Sequence, residues 1–467
     1  METLTSEAAE LAGHTVSMGV TLFFTGVLVL LITALALEEK LHAKKSIIVA
    51  VFAVFSLLSA SALGLIPFGV VTLPGGHAVE MPVYIPAVDW AVIAIILGSS
   101  LFVDVTSRSG LFTWIAIRLT KASRGDPLLL LWYYGWMTVV FSAVLNNVTA
   151  MIIVGSLTAV SLARLRRQSQ LFGFLLIEGL LTNIGGLLTL ISSVPNIIIG
   201  NAAGISFVSF FLTAWPFVLV ASVSTLLFGA RLFGIQRLGD DEEKVRAREL
   251  VGGFDENDGI EGRSFFLFSA SMLVAFIGVI AGTSVLPVIR DLGMGFVALS
   301  FAAVMLLRYR QTVDEFYRTV DWDLIVFFTA LFVVINVMEH AQVLALIGHG
   351  VAALIGAGDR ATGSGSLLVS SALFSSVTDN IPLAAMLAKI LVAQATPGGS
   401  SLWWAVVFGA NLGGNFTPIG SASTLVAVTI MHKHGLHVSF TGFIKKALPF
   451  AIMHLALALV YTLGFLA

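Results

Sequence analysis

The polar residues of this chain fall into short clusters inside long apolar runs, and the clusters come in pairs. Asn146-Asn147-Val148-Thr149 is answered by Thr378-Asp379-Asn380-Ile381-Pro382. Thr182-Asn183-Ile184-Gly185-Gly186, with Ser192-Ser193-Val194-Pro195-Asn196 behind it, is answered by Ala410-Asn411-Leu412-Gly413-Gly414-Asn415, with Thr417, Ser421, Ser423 and Thr424 behind that. Asn, Ser and Thr supply neutral donors and acceptors, and glycine lets a backbone come close to a ligand. A helix broken at such a cluster presents N–H groups to anions and unpaired carbonyls to cations. The chemistry expected is coordination of a small ion by backbone and amide groups. Close helix packing also uses small residues and would account for any one break alone. Four breaks in two matched pairs point to a binding site.

Ionisable residues inside apolar segments are costly to bury and are functional candidates by default. Asp379 is the one carboxylate at a cluster expected to form a tip. A desolvated carboxylate can trade a proton for a cation, so Asp379 leads as the coupling group. Glu178 lies one helical turn before Thr182-Asn183 and is the second proton-carrier candidate. Asp104, Glu339 and His340 fall near span ends, where solvation or capping suffices. Lys389 can partner Asp379 or reach the outer face. His432, His434 and His437 sit in a loop beside Lys433, and no metal site is read from them.

The elements that must hold these residues are membrane helices. Hydrophobic residues make up 57% of the 467 residues and charged residues 11%, with a mean hydropathy of +0.98. No water-soluble surface can be built from that composition. Apolar runs at 16–37, 46–66, 89–107, 171–203, 208–229, 265–283, 294–307, 321–338, 402–431 and 440–466 give ten spans, and the stretches 127–163 and 364–396 read as re-entrant hairpins around polar tips. The N-terminal segment lacks the basic flank of a cleaved leader, so the first run reads as a retained span. With both termini outside, 22 of the 25 Lys and Arg residues fall in inner segments, as the positive-inside rule requires. That orientation puts the feet of the first hairpin inside and those of the second outside.

The landmarks Asp89-Trp90 and Asp321-Trp322 join the paired clusters at nearly one offset: 232 for the Asp residues, 233 for Asn147 and Asn380, and 228 for Asn183 and Asn411. The fold class expected is therefore an all-α polytopic membrane protein of two inverted repeats, the architecture of many secondary transporters. The division expected is 1–88 as scaffold spans, 89–230 as repeat one, 231–264 as a mixed-charge cytoplasmic linker, 265–320 as linking spans, and 321–467 as repeat two. Segments 108–121 and 340–355 read as amphipathic helices lying along the interface. With no cysteine, disulfides and thiolate chemistry are excluded. The net charge of −2, without a basic block, gives no sign of nucleic acid as a partner.

From Val88 onward, with its best stretches at Leu145–Met151, Thr182–Asn196, Thr378–Pro382 and Ala410–Thr424, the chain resembles the ion transporter superfamily. The branch is that of arsenite permeases, NhaD-type sodium/proton antiporters and the pink-eyed-dilution (P) protein. The resemblance implies a scaffold, two transport domains with hairpins, a homodimer in the lipid bilayer, an elevator-like movement and, for a bacterial member, the inner membrane. It implies no cofactor beyond a coupling Na+ or H+. The P-protein pattern has Asp-Asn where this chain has Asn146-Asn147, and Gly-Asp-Pro-Pro-Asn where it has Ser192–Asn196. Repeat one is thus neutral where relatives are acidic, leaving Asp379 in repeat two.

The function expected is secondary active ion transport, with sodium/proton antiport ahead of export of an oxyanion such as arsenite. A passive channel on the same scaffold is the alternative class. No His-Glu-x-x-His, Gly-x-Ser-x-Gly or paired catalytic acids argue for an enzyme.

Overall fold

The computed structural model describes residues 16–66, 70–72, 78–82, 84–145, 147–356, 360–376, 380–418 and 420–466. In chain order the principal helices are α1 (Met18–Ala36), α2 (Lys45–Ala62), α3 (Trp90–Arg108), α4 (Leu111–Ala122), α5 (Pro127–Val144), α6 (Asn147–Arg164), α7 (Leu171–Gly185), α8 (Val194–Ala203) and α9 (Phe207–Leu232). After the linker helix α10 (Asp241–Gly252) come α11 (Arg263–Gly282), α12 (Ile289–Leu306), α13 (Trp322–His340), α14 (Val343–Ile355), α15 (Arg360–Ser375), α16 (Asn380–Ala393), α17 (Ser401–Gly413), α18 (Ala422–Lys433) and α19 (Phe440–Tyr461). The polytopic helical class is the one expected. The exception is a two-stranded antiparallel ribbon, Val70–Thr72 against Ala78–Glu80, where β-branched residues favour an extended backbone outside the spans.

Among the described residues ten helices are long and apolar enough to cross a bilayer. Eight are spans read from the sequence. The other two are α5 and α6, the arms of the first hairpin, each 18 residues or about 27 Å long. The two remaining expected spans are broken into 15 and 10 residues (α7, α8) and 13 and 12 residues (α17, α18). Each half is too short to cross alone. The breaks explain the difference: Gly185-Gly186 and Gly413-Gly414 end one half, and Ser193 and Ser421 start the next in extended conformation.

The chain forms two compact units. One contains Met1–Trp90 and Asp321–Ala353; the other contains Ala91–Val320 and Leu354–Ala467. Residues 321–353, the start of repeat two as read from the sequence, therefore pack in one unit with the N-terminal helices. The reason is packing: α13 lies along α2 and touches α1, and the Ser46 hydroxyl donates to the Asp323 carboxylate. In the larger unit α3 does the converse and packs on α11 and α12. A methyl at Gly98 would sit 2.5 Å from the Ala298 carbonyl carbon, so the absence of a side chain lets two backbones touch. Phe102, Phe276 and Phe301 close the contact with ring centroids 4.5 to 6.0 Å apart. The element order thus draws longer halves than the polar landmarks did. Each half runs two helices, a third span, an amphipathic helix, a hairpin, a broken span and a last span.

The linker is seated at the feet of the first hairpin. Asp126 caps α5 through Leu129 N at 3.0 Å and also accepts from Leu238 N at 3.1 Å. At the other foot Arg167 pairs with Glu243 at 2.8 Å, and Arg164 lies 4.4 Å over the Phe254 ring. Glu256 takes both Arg118 and Lys121 of α4, at 2.7 and 3.2 Å.

Candidate functional site

Glycine decides where the hairpins dock. A methyl at Gly185 would lie 2.6 Å from the Val139 carbonyl oxygen and 3.0 Å from Ser142 Cβ; at Gly413 it would run into the Ala372 carbonyl and lie 2.6 Å from Ser375 Cβ. Val139 and Ala372, like Ser142 and Ser375, are separated by the 233-residue offset of the hairpin tips, so both contacts are the same contact. Each is sealed by matching hydrogen bonds. Ser142 Oγ lies 2.5 Å from the Thr182 carbonyl, and Ser375 Oγ lies 2.5 Å from that of Ala410. Thr189 Oγ1 donates to Ala143 O at 2.6 Å, and Thr417 Oγ1 donates to Ser376 O at 2.8 Å. The first arm of each hairpin therefore ends level with the break of its own repeat. The second arms reach across: α6 packs on α18, and α16 on α8.

The breaks are then tied to each other. Asn183 Nδ2 donates to Asn415 Oδ1 at 2.8 Å and to Ser421 Oγ at 2.9 Å, while its Oδ1 accepts from Ser423 Oγ at 3.0 Å. Reciprocally, Asn411 Nδ2 donates to Asn196 Oδ1 at 2.9 Å, and its Oδ1 accepts from Ser193 Oγ at 2.7 Å. Asn183, Asn196, Asn411 and Asn415 are all buried, and a buried amide without partners is costly, so these pairings hold the unwound segments in place. The segments are also bonded internally. Asn196 Nδ2 donates to the Gly186 and Thr189 carbonyls at 2.7 and 2.9 Å. Ser192 Oγ lies 2.6 Å from the same Gly186 carbonyl. Thr424 Oγ1 lies 2.8 Å from Ser421 O and 3.1 Å from Pro418 O.

The sequence candidates thus sort by place. Thr182, Asn183, Gly185, Ser192, Ser193, Asn196, Asn411, Gly413, Gly414, Asn415, Thr417, Ser421, Ser423 and Thr424 meet at the two breaks. Asn147 starts α6, its Oδ1 2.7 Å from Ser142 Oγ, against Gly186. Thr149 lies in the first turn of α6, and Asn380 starts α16. Asn146 and Asp379 fall outside the described residues.

Glu178 is the one buried carboxylate among the described residues. It sits on α7, where Oε1 accepts from Thr158 of α6 at 2.6 Å and Oε2 has no hydrogen-bond partner. Val406 stands at the matching position of repeat two. The other ionisable candidates have local partners: Asp104 accepts from Thr319 at 2.7 Å, and His340 Nδ1 lies 2.9 Å from Asn336 O. Among the described residues no cluster of three His, Asp or Glu could hold a metal.

Two features escaped the sequence reading. Ser142 and Ser375, one turn before the tips, were recoverable from the 233-residue offset. His454 of α19 is fully buried, with Nδ1 3.3 Å from Asn415 Nδ2 and Nε2 2.7 Å from Thr225 Oγ1. An ionisable residue within an apolar span was its signal, the one that marked Glu178.

Known proteins share this fold. The YdaH transporter of Alcanivorax borkumensis, whose crystal structure is described as having an unusual topology, superposes with a TM-score of 0.58 over 91% of this chain and 98% of its own, at 13% identity. It shares the fold. The 46 kDa membrane protein of Mycobacterium leprae is 30% identical over 380 residues, covering 80% of this chain and 86% of the relative. An uncharacterized transporter of Mycobacterium tuberculosis is 29% identical over 379 residues with the same coverage. The P protein of Mus musculus is 26% identical over 452 residues, or 80% of this chain and 54% of the P protein. The family model for the citrate transporter (CitMHS) matches residues 32–409. The chain belongs to that family, within the ion transporter superfamily, and is a membrane-embedded secondary transporter.

Proposed function

We propose that this transporter exchanges a cation, sodium in the leading case, for protons by alternating access. In this reading each hairpin moves with its broken span as one body in an elevator-like excursion. Both termini face the outside of a bacterial inner membrane, and the protomers form homodimers. The observation that carries the reading is Glu178. It is the one buried carboxylate among the described residues, and it offers one oxygen bonded to the hairpin and one oxygen with no partner. Such a group must hold either a proton or a cation, because an uncompensated charge at that depth is prohibitively costly. Asp379, at the tip of the second hairpin, is proposed as the coupling partner on the other repeat.

A second reading has its own support. Helices α6, α8, α16 and α18 all begin at the tips and breaks, and helix N-termini favour anions. The matching family model is described as a citrate transporter. On this reading the substrate is a carboxylate or oxyanion and the cation is its driving ion.

Purified protein in proteoliposomes separates the two. Sodium flux that is saturable and dissipates an imposed pH gradient is expected, and Glu178→Gln and Asp379→Asn should each abolish the proton-linked component while membrane insertion persists. Citrate or arsenite uptake, with sodium flux seen only in their presence, would overturn antiport in favour of the anion reading.

A further inference from the structure

The amide pair Asn183–Asn415 can be hydrogen-bonded in two senses. In one, Asn183 donates to Asn415 and accepts from Ser423. In the other, both amides are turned over, Asn415 donates to Asn183, and the hydroxyls of Ser421 and Ser423 rotate to suit, since either of them can donate or accept. The reciprocal pair has no such freedom. Asn411 Nδ2 also donates to the Val407 carbonyl at 2.8 Å, and Asn196 Nδ2 faces two carbonyls within 2.9 Å. Carbonyls only accept, so the backbone fixes the sense of that pair. Among the described residues the carbonyl that hydrogen-bonds the Asn415 amide nitrogen is that of Leu180, at 3.5 Å, the limit of a hydrogen bond.

His454 breaks the tie. Thr225 Oγ1 donates to the Ala221 carbonyl at 2.6 Å, the shorter of its two contacts. Towards His454 Nε2, at 2.7 Å, the threonine can only accept. Nε2 must therefore carry the hydrogen, which leaves Nδ1 of a neutral ring bare. A bare Nδ1 3.3 Å from Asn415 requires the NH2 end of that amide, and Asn415 Oδ1 then faces Asn183. The order of donation runs without conflict from Ser423 through Asn183, Asn415 and His454 to Thr225 and Ala221. Among the described residues no charged side chain is hydrogen-bonded to the ring. The charged residues on elements packed against α19 stand at helix ends: Arg231 closes α9, Arg360 opens α15, α17 has none, and Lys445 and Lys446 stand two turns earlier on α19 itself.

We infer that His454, held as the Nε2–H tautomer by Thr225, is a positioning residue that sets the orientation of Asn415 and Asn183 and so the shape of the cross-repeat clamp. The inference rests on reading the clamped breaks as the transport site, but its first test needs no substrate. In protein with 15N-labelled histidine, the ring assigned to His454 by its disappearance in His454→Gln should show the neutral Nε2–H signature at pH 7.5 and keep it at pH 5.5, where exposed histidines gain a proton, and Thr225→Val, remote from the breaks, should weaken it. A Nδ1–H or charged ring assigned to His454 would overturn the inference, whatever the protein transports. The second test uses sodium in proteoliposomes. His454→Gln can supply an acceptor to Asn415 and a donor to Thr225, so its KM should stay near that of the wild type. His454→Phe should raise KM roughly tenfold, the equivalent of one lost buried hydrogen bond, with little change in kcat. Equal KM values for the two variants would also overturn it. Should His454→Phe fail to fold, the tautomer measurement on the intact protein still decides.

Discussion

The two broken spans follow one plan and are secured by different means. In both, a glycine lets a hairpin backbone press against the helix end, a serine starts the second half, and an asparagine reaches into the opposite break. Repeat two's asparagine, Asn411, grips a segment whose amides are fixed by backbone carbonyls. Repeat one's asparagine, Asn183, grips a segment whose orientation depends on a side chain, His454. Repeat one also carries the buried Glu178 where repeat two has Val406. Pseudo-symmetry therefore serves the clamp between the breaks, while the buried ionisable groups, Glu178 and His454, break it. A transporter needs both: equivalent geometry for two facing states, and an unequal element that ties the change of state to an ion.

The glycine contacts give the largest effect and test the symmetric part. Gly185→Ala and Gly413→Ala each push a methyl into a carbonyl of the first hairpin arm, where neither backbone can give way. Each should cost about 3 kcal/mol of stability through overpacking, read as a lowered unfolding temperature in detergent together with loss of transport. If only one is damaging, the hairpin contacts are not equivalent. The asparagines come next. Asn183→Ala and Asn411→Ala each remove three hydrogen bonds, a loss on the order of 2–3 kcal/mol. Both should abolish transport with similar destabilisation, and a variant that retains transport would confine the working site to the other half.

The smallest effect sharpens the comparison at the periphery. The linker touches the feet of the first hairpin, and the Arg167–Glu243 pair is partly exposed, with side-chain exposures of 26% and 53%. Glu243→Ala should therefore change stability by less than about 1 kcal/mol. A large loss of transport from it would give the linker a role in the cycle beyond connection.

Much of this arrangement was legible in the sequence because broken membrane helices demand particular residues. Gly185, Gly413, Asn183 and Asn411 stand out against apolar surroundings, and their spacing shows the repeat directly. Less legible was the extent of the halves. Helices α1, α2, α11 and α12 turn much of their surface to lipid: Leu22, Val51, Leu267 and Val274 are all exposed. Many apolar sequences satisfy that requirement equally well, so nothing marks one pair as the counterpart of the other. Nor does composition tell a free amide from one already paired. Asn183 and Asn411 read as ligands, yet their hydrogen-bonding groups are taken up by the opposite break. His454 stands alone in an apolar span, whereas His432, His434 and His437 cluster at the end of α18 and in the turn after it, where solvent satisfies them.

The crossed packing of α3 and α13 bears on how the protein is made. Helix α2 leaves the ribosome early, but the face that receives α13 stays uncovered until more than 250 further residues have been synthesised. Helix α3 likewise waits for α11 and α12. During translation the first half must persist in the bilayer with its inner surfaces held by lipid or by the insertion machinery, and neither half has all its packing partners without the other. Severing the chain between α9 and α11 should yield fragments that are degraded when made singly and recovered when made together, so that assembly in the membrane becomes a meeting of two incomplete partners.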